Sequence, residues 1–253
     1  MRPAWALLLG LVCAPAGARA ADPSALWKIV SGQCVPHETT ERDPSPCSVV
    51  DLANGADKGF ALLKDRDGVA QFLLIPTARI SGIEDPAILD PASTNYWDAA
   101  WRDRYFVEER LHASLPRDGV ALAINSSVGR TQDQLHIHID CIRPDVRAAL
   151  AGNLDKVGAA WTPFPIKLAG HAYQAIRINQ ETMDGINPFR VLVDGDPKTG
   201  GDISMHTLVL VGETFADGSN GFVLLDDQAN LAAGDHASGE QLEDHACAGV
   251  VVK

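Results

Sequence analysis

Long apolar runs are nearly missing from this 253-residue chain. Beyond the first twenty residues no stretch approaches the roughly 18 to 20 apolar residues that a spanning helix needs, which excludes a multi-span membrane protein of the helical kind. Positive charge is scarce as well: 21 Lys and Arg stand against 33 Asp and Glu, a formal net charge of −12. An acidic chain of this kind is a poor general binder of nucleic acid, so no nucleic-acid partner is expected. An anionic substrate would need a local basic patch inside a repulsive field. No C-x-x-C pair occurs among the cysteines, which argues against a zinc site built on them. Low-complexity segments are lacking, and so is a clean linker; residues 152–165 are the weakest point for a division.

What is present begins with a leader. Arg2 is a positive start, Trp5 to Ala14 is a short apolar run, and Ala18-Arg19-Ala20 is an A-x-A cleavage site. Residues 1–20 therefore read as a secretory signal, with retention as an uncleaved N-terminal anchor as the alternative. Either fate places the chain in the cell envelope, in the periplasm or attached to the inner membrane. Residues 21–253 suit a single domain, with about 153–253 as an alternative second subdomain. Four cysteines follow the leader: Cys34, Cys47, Cys141 and Cys247. An even number in an oxidising compartment points to two disulfides. Of the three pairings, Cys34–Cys47 and Cys141–Cys247 are preferred. The first clips a short polar loop, and the second ties the C-terminus to a central strand.

The pattern of elements is α+β. Ser24 to Val30 reads as a short helix and residues 32–46 as a proline-bearing loop. Gly59 to Asp65 and Ala70 to Ile75 read as a hairpin turned by Asp65-Arg66-Asp67-Gly68. Asn95 to Ala113 carries Trp97, Trp101, Tyr105, Phe106 and Leu111 at near-helical spacing, an amphipathic helix whose aromatics face a core. Gly119 to Ile124 and Leu135 to Ile142 are strands, separated by a polar loop, and a helix opens after Pro144. Beyond residue 153 the chain reads as a less regular extension. It holds strands at His171 to Ile178, His206 to Val211 and Gly221 to Asp226, and a short helix begun by a capping box at Ser238 to Gln241. Gly221 to Asp227 echoes Gly59 to Asp65, which would suit an internal duplication.

The chemistry concentrates in Gln134-Leu135-His136-Ile137-His138-Ile139-Asp140. Residues two apart on a strand share a face. His136, His138 and Asp140 thus point one way, and Ile137, Ile139 and Cys141 point the other, toward a core. Polar side chains in register need partners, so their face opens on water or a ligand. Two chemistries fit. A neutral imidazole can attack phosphorus and split one hard displacement into two easier ones. Alternatively, His136, His138 and Asp140 bind a divalent metal. The metal reading ranks second, because such sites generally add further histidines and Cys141 follows here. A non-catalytic envelope module for lipid or nucleotide is a third reading.

Asn125, Gly129-Arg130-Thr131-Gln132 and His136-Ile137-His138 together resemble the signature of the histidine-triad superfamily of nucleotide hydrolases and transferases. More narrowly, Pro44-Ser45-Pro46-Cys47, Leu122 to Ser126, Gly129 to Gln132, His136 to Ile139 and Cys141 to Arg147 resemble the bacterial CDP-diacylglycerol pyrophosphatase family. That resemblance implies a histidine-triad-like antiparallel sheet with packed helices and no required metal or other cofactor. It implies hydrolysis of CDP-diacylglycerol to CMP and phosphatidate at a membrane surface, with a homodimer as one arrangement. The central histidine of the motif would be the nucleophile. If His136 comes first, His138 is central and Asp140 replaces the third histidine. If Gln134 comes first, His136 is central. The spacing from Asn125 and the apolar pair Cys141-Ile142 favour His138. Its other ring nitrogen would then be held by the His136 carbonyl. Asn125, Arg130, Thr131, Gln132, Asp140 and Arg143 are the expected substrate contacts.

Overall fold

The computed structural model describes residues 22–195 and 202–249; the leader expected over residues 1–20 lies outside them. Nine strands are arranged in one antiparallel sheet. They are β1 (Val49–Asp51), β2 (Phe60–Lys64), β3 (Phe72–Pro76), β4 (Val120–Ile124), β5 (Ile137–Cys141), β6 (Thr162–Pro163), β7 (Gln174–Ile178), β8 (His206–Thr214) and β9 (Asn220–Gln228). Their spatial order is β1-β2-β3-β5-β4-β8-β9-β7-β6. The helices are α1 (Ala25–Ile29), α2 (Val35–Glu41), α3 (Tyr96–Asp103), α4 (Tyr105–Leu111), α5 (Pro144–Ala151) and α6 (Pro188–Gly195). The class is α+β, as expected.

The hairpin β2–β3 forms where the alternation and the Asp65–Gly68 turn predict it, with Phe60 opposite Pro76 and Lys64 opposite Phe72. Gly68 takes φ +70° there, a left-handed conformation that costs glycine little. Several local expectations are corrected. Residues 32–46 are not all loop: α1 runs through a π turn at Val30–Cys34 into α2, which ends at Arg42 in a left-handed conformation. Pro36 stands just beyond the π turn, at the point where its missing N–H interrupts the helical ladder. The helix expected over residues 95–113 is two helices meeting at Arg104. The chain beyond residue 153 is no irregular appendage. It supplies β8 and β9, nine residues each, and β8 pairs with β4 in the middle of the sheet. That long-range pairing leaves no trace in local periodicity. Helix α6 was not anticipated.

One face of the sheet is fully roofed. Phe72, Leu74, Leu122, Ile137, Ile139, Leu210 and Leu224 pack there against Trp97 and Trp101 of α3, Val107 of α4 and Phe189 of α6. The two tryptophans of the aromatic stripe are core, as read: Trp101 meets Phe222 edge-on at 4.9 Å and Trp97 meets Phe189 at 5.6 Å; Tyr105, expected with them, is instead exposed. Each fully buried Leu or Ile contributes roughly 1.5 to 3 kcal/mol here. The other face is roofed in two separate patches. Leu26, Val30, Cys34 and Cys47 cover Ala61, Leu73 and Ile75. Val146 and Leu150 of α5 lie over Ala121, Ala123, Val209 and Val223. Between the two patches runs β5, with His138 flanked in register by Leu73 and Ala123. The fold thus leaves a gap in its second layer over the polar face of the histidine strand.

Both expected disulfides form. Cys34–Cys47 staples the α1–α2 segment to the loop before β1, and Cys141–Cys247 ties the C-terminal segment to the end of β5. Among the described residues no helix is long and apolar enough to cross a membrane.

Candidate active site

His136 and His138 share one face, as the period of two predicts. Their ring centroids are 4.9 Å apart and the planes are inclined by 62°. Both rings line a cavity of about 420 Å³, and both are nearly buried, at 7 % and 4 % exposure. Their hydrogen bonds differ. His136 Nδ1 lies 2.7 Å from the carbonyl oxygen of Gln134, two residues back in the bend that leads into β5. His138 Nδ1 lies 2.8 Å from the side-chain nitrogen of Gln71, and its Nε2 is buried with no hydrogen-bond partner among the described residues. Burial pushes the His136 ring below the ordinary imidazole range, against the pull of the Gln134 carbonyl. Burial, then the neighbouring His136 and His245, push His138 well below it. At neutral pH both rings are therefore uncharged.

The C-terminal segment completes the site. Glu240 receives a bond from Asn125 Nδ2 at 3.2 Å and one from Gln71 Nε2 at 3.4 Å. Its Oε1 is 3.7 Å from His138 Nδ1 and 3.5 Å from His245 Nε2. Asn125 holds this segment in place: its Oδ1 accepts from Ser238 Oγ at 3.0 Å and from the Glu240 N–H at 3.3 Å. The expected capping box is consequently not made. Ser238 makes no cap bond, Gly239–Leu242 is a 3-10 turn, and Asn125 does the capping from across the fold. Ser126 Oγ donates to the His236 carbonyl at 2.6 Å. A side chain at Gly129 would place its Cβ 2.7 Å from that same oxygen, so only glycine permits the loop to lie this close.

The expected substrate contacts separate into two groups. Asn125, Thr131 and Gln132 line the cavity with the two histidines. Gln132 also binds the leading edge of the chain, accepting from the Leu26 N–H at 3.1 Å and donating to the Asp22 carbonyl at 2.9 Å. Arg130, Asp140 and Arg143 are not among the lining residues. The Arg130 guanidinium forms a two-pronged pair with Glu84, at 2.6 and 2.7 Å. Arg143 is turned to Asp145 at 2.8 Å and to the Gln241 carbonyl at 3.3 Å. Asp140 is wholly buried and accepts from His245 Nδ1 at 2.8 Å. Burial pushes Asp140 up to about 6. Burial works against the charged form of His245 as well, but Asp140 and Glu240 outweigh it and hold that ring above its ordinary range.

Sequence reasoning missed five lining residues or close neighbours: Lys64, Arg66, Gln71, Glu240 and His245. Lys64 and Arg66 sit at the end and turn of the β2–β3 hairpin, where Asp65 and Asp67 line the cavity beside them; Arg66 is paired with Asp67 at 3.3 Å and Lys64 Nζ donates to the carbonyls of Asp65 and Gly68. The run from Lys64 to Gly68 carries these charges in plain view, but it reads locally as nothing more than a turn. Part of the lining is apolar: Ala25, Leu26 and Ile29 of α1, with Pro46, Leu63 and Leu73.

His136, His138 and Asp140 do not converge as a metal-ligand set. Among the described residues three groups do bring ligand atoms together: Asp140 with Cys141 and Cys247, Asp140 with Glu243 and His245, and His171 with Asp227 and Asp235. The first uses sulfurs already joined in a disulfide.

The family model for CDP-diacylglycerol pyrophosphatase matches residues 21–250, which include every residue of the cavity. The CDP-diacylglycerol pyrophosphatase of Yersinia pestis is 44% identical over 229 residues, covering 90% of this chain and 86% of that one. With a match over nearly its whole length, the chain belongs to the CDP-diacylglycerol pyrophosphatase family.

Proposed function

We propose that this chain hydrolyses the pyrophosphate bond of CDP-diacylglycerol, releasing CMP and phosphatidate, with His136 as the nucleophile. One observation carries the choice of histidine. A nucleophilic imidazole needs its proton parked on the nitrogen that does not react. His136 has its Nδ1 2.7 Å from the Gln134 carbonyl, an oxygen that can only accept, so the proton is on Nδ1 and the lone pair is on Nε2. The same bond was expected from the His136 carbonyl to His138, but His138 Nδ1 meets Gln71 instead. The register in which Gln134 takes the first place of the motif is therefore the better one. It makes His138 the third member and suits the resemblance to the histidine-triad superfamily.

In the first step His136 Nε2 attacks the CMP-side phosphorus. The N–P bond forms, the bond to the bridging oxygen breaks, and its electron pair leaves on phosphatidate. In the second step water attacks the same phosphorus. The P–N bond breaks, its pair returns to His136, CMP leaves, and the water proton passes to solvent. Asn125, Thr131 and Gln132 contact phosphate or ribose, and Lys64 and Arg66 supply positive charge to the phosphates.

The cavity also bears on the lipid. About 420 Å³ suits a nucleotide headgroup rather than a headgroup with two acyl chains. The wall formed by Leu26, Ile29, Pro46, Leu63 and Leu73 faces the glycerol side, and the chains stay in the bilayer. The leader expected directly before α1 supports an enzyme working at the periplasmic surface of the inner membrane. The test is incubation with cytidine-labelled CDP-diacylglycerol, quenching in alkali, and mapping of the adduct by mass spectrometry. A cytidylyl group on His136 is expected. A folded His136→Ala protein with near wild-type hydrolysis would sink the assignment.

A further inference from the structure

The proton position on His138 is set by groups outside the histidine motif. Gln71 Nε2 lies between two acceptors, His138 Nδ1 at 2.8 Å and Glu240 Oε1 at 3.4 Å. A carboxylate only accepts, so the side of the Gln71 amide that faces Glu240 must be its NH2. His138 Nδ1, on that same side, must then be the lone-pair nitrogen, which leaves the ring proton on Nε2. Glu240 is itself fixed, through Asn125 Nδ2 on its Oε2 and Asn125 Oδ1 on its N–H. We infer that Glu240 is a positioning residue which, through Gln71, holds His138 in its Nε2–H form, so that this N–H donates to the bridging oxygen as phosphatidate departs.

This deepens the reading of the reaction and rests on it. It also assigns the two histidines opposite tautomers from one strand: His136 with its lone pair on Nε2, His138 with its proton there. No proton is transferred from His138, since a neutral imidazole that gave up its only proton would become an anion. The donated hydrogen bond stabilises the charge that collects on the leaving oxygen. The buried Nε2 of His138, with no partner among the described residues, is a donor waiting for one. The arrangement further explains why the C-terminal segment is held so firmly. Asn125 caps it, His245 binds Asp140 at 2.8 Å, and Cys247 is bonded to Cys141.

Glu240→Gln tests this with little change of shape. A glutamine cannot accept from both Asn125 Nδ2 and Gln71 Nε2. With its oxygen toward Asn125, its NH2 meets Gln71, whose amide turns over and presents oxygen to His138 Nδ1. The ring proton then moves to Nδ1. Nitrogen-15 spectra of the imidazoles in the free enzyme should show His138 protonated on Nε2 in the wild type and shifted toward Nδ1–H in the variant. The kcat for CDP-diacylglycerol should fall about 100-fold with KM little changed. A CMP ester of dinitrophenol, whose leaving group departs without a hydrogen bond, should lose far less. An unchanged His138 tautomer, or an equal loss on both substrates, would overturn the inference. Two further variants separate the levels: near wild-type hydrolysis by a folded His136→Ala protein would defeat the reading of the reaction, while full activity toward the lipid in His138→Ala would overturn the inference and leave that reading standing.

Discussion

Removal of each histidine in turn gives the sharpest test of the site, because the two lie side by side and are buried alike. Their exposures are 7 % and 4 %, so truncation to alanine costs similar packing in both, and thermal melts of the two variants should agree closely. The catalytic losses should not agree. Without His136 the covalent route is gone, and only phosphate binding and positioning remain. In well-studied covalent hydrolases, loss of the nucleophile costs on the order of 10⁶-fold in kcat, against a residual of about 10³ to 10⁴ over water. Without His138 one neutral hydrogen bond to the leaving oxygen is lost, a loss of about 10² to 10³. The expected gap between the variants is therefore on the order of 10³-fold or more, with His136→Ala the weaker enzyme. The assay is CMP release from CDP-diacylglycerol in mixed micelles, run from pH 5 to 9. Since burial holds His136 below the ordinary imidazole range, the nucleophile stays unprotonated as pH falls through 6.5, and kcat/KM should decline only below that point. Refutation would come from a His138→Ala variant that is the weaker enzyme, together with an adduct on His138 in the wild type.

Other expectations follow from particular contacts. Arg130→Ala should act on stability more than on catalysis, because it strands the partly buried Glu84 carboxylate bound at 2.6 and 2.7 Å. About 2 to 4 kcal/mol in urea denaturation is expected, with KM unchanged, and a large rise in KM without loss of stability would restore Arg130 as a substrate contact. Replacing Cys141 and Cys247 together by serine opens a link between residues 106 apart. It should cost about 2 to 5 kcal/mol and depress kcat as the Glu240 segment loosens. Activity equal to wild type in a variant that melts lower would separate the latch from the site. Glu213 is buried, and burial, then Asp118, push its carboxyl up to about 8 against the pull of Arg147 and Arg117. An unfolded chain ionises that group near its ordinary value while the folded chain keeps the proton, so stability falls as pH rises from about 4.5 to about 8. Glu213→Gln should therefore gain on the order of 3 kcal/mol at pH 7 and almost nothing at pH 4; an equal gain at both would show that ionisation is not the cause.

The sequence by itself determined the chemistry-bearing strand. A period of two puts His136 and His138 on one face and Ile137, Ile139 and Cys141 on the other, whatever the strand pairs with. The even cysteine count and the positions of the cysteines pointed to the two disulfides that form, and the turn at Asp65 to Gly68 to the hairpin. The resemblance to the family marked Asn125, Thr131 and Gln132 as site residues, and all three line the cavity. Only the tertiary structure decided which partners the two rings meet: the carbonyl of Gln134 for His136, and for His138 Gln71 and Glu240, 67 residues before it and more than 100 after. It also decided where the charges lie: Arg130 and Arg143 look available in the chain but pair with Glu84 and Asp145 away from the cavity, while the fold of the hairpin brings Lys64 and Arg66 to its lining. The physical reason is the same in each case. Strand periodicity and turn preference are local and survive in a string of letters, whereas a hydrogen-bond partner is chosen by packing across a sheet whose order runs far from the order of the chain.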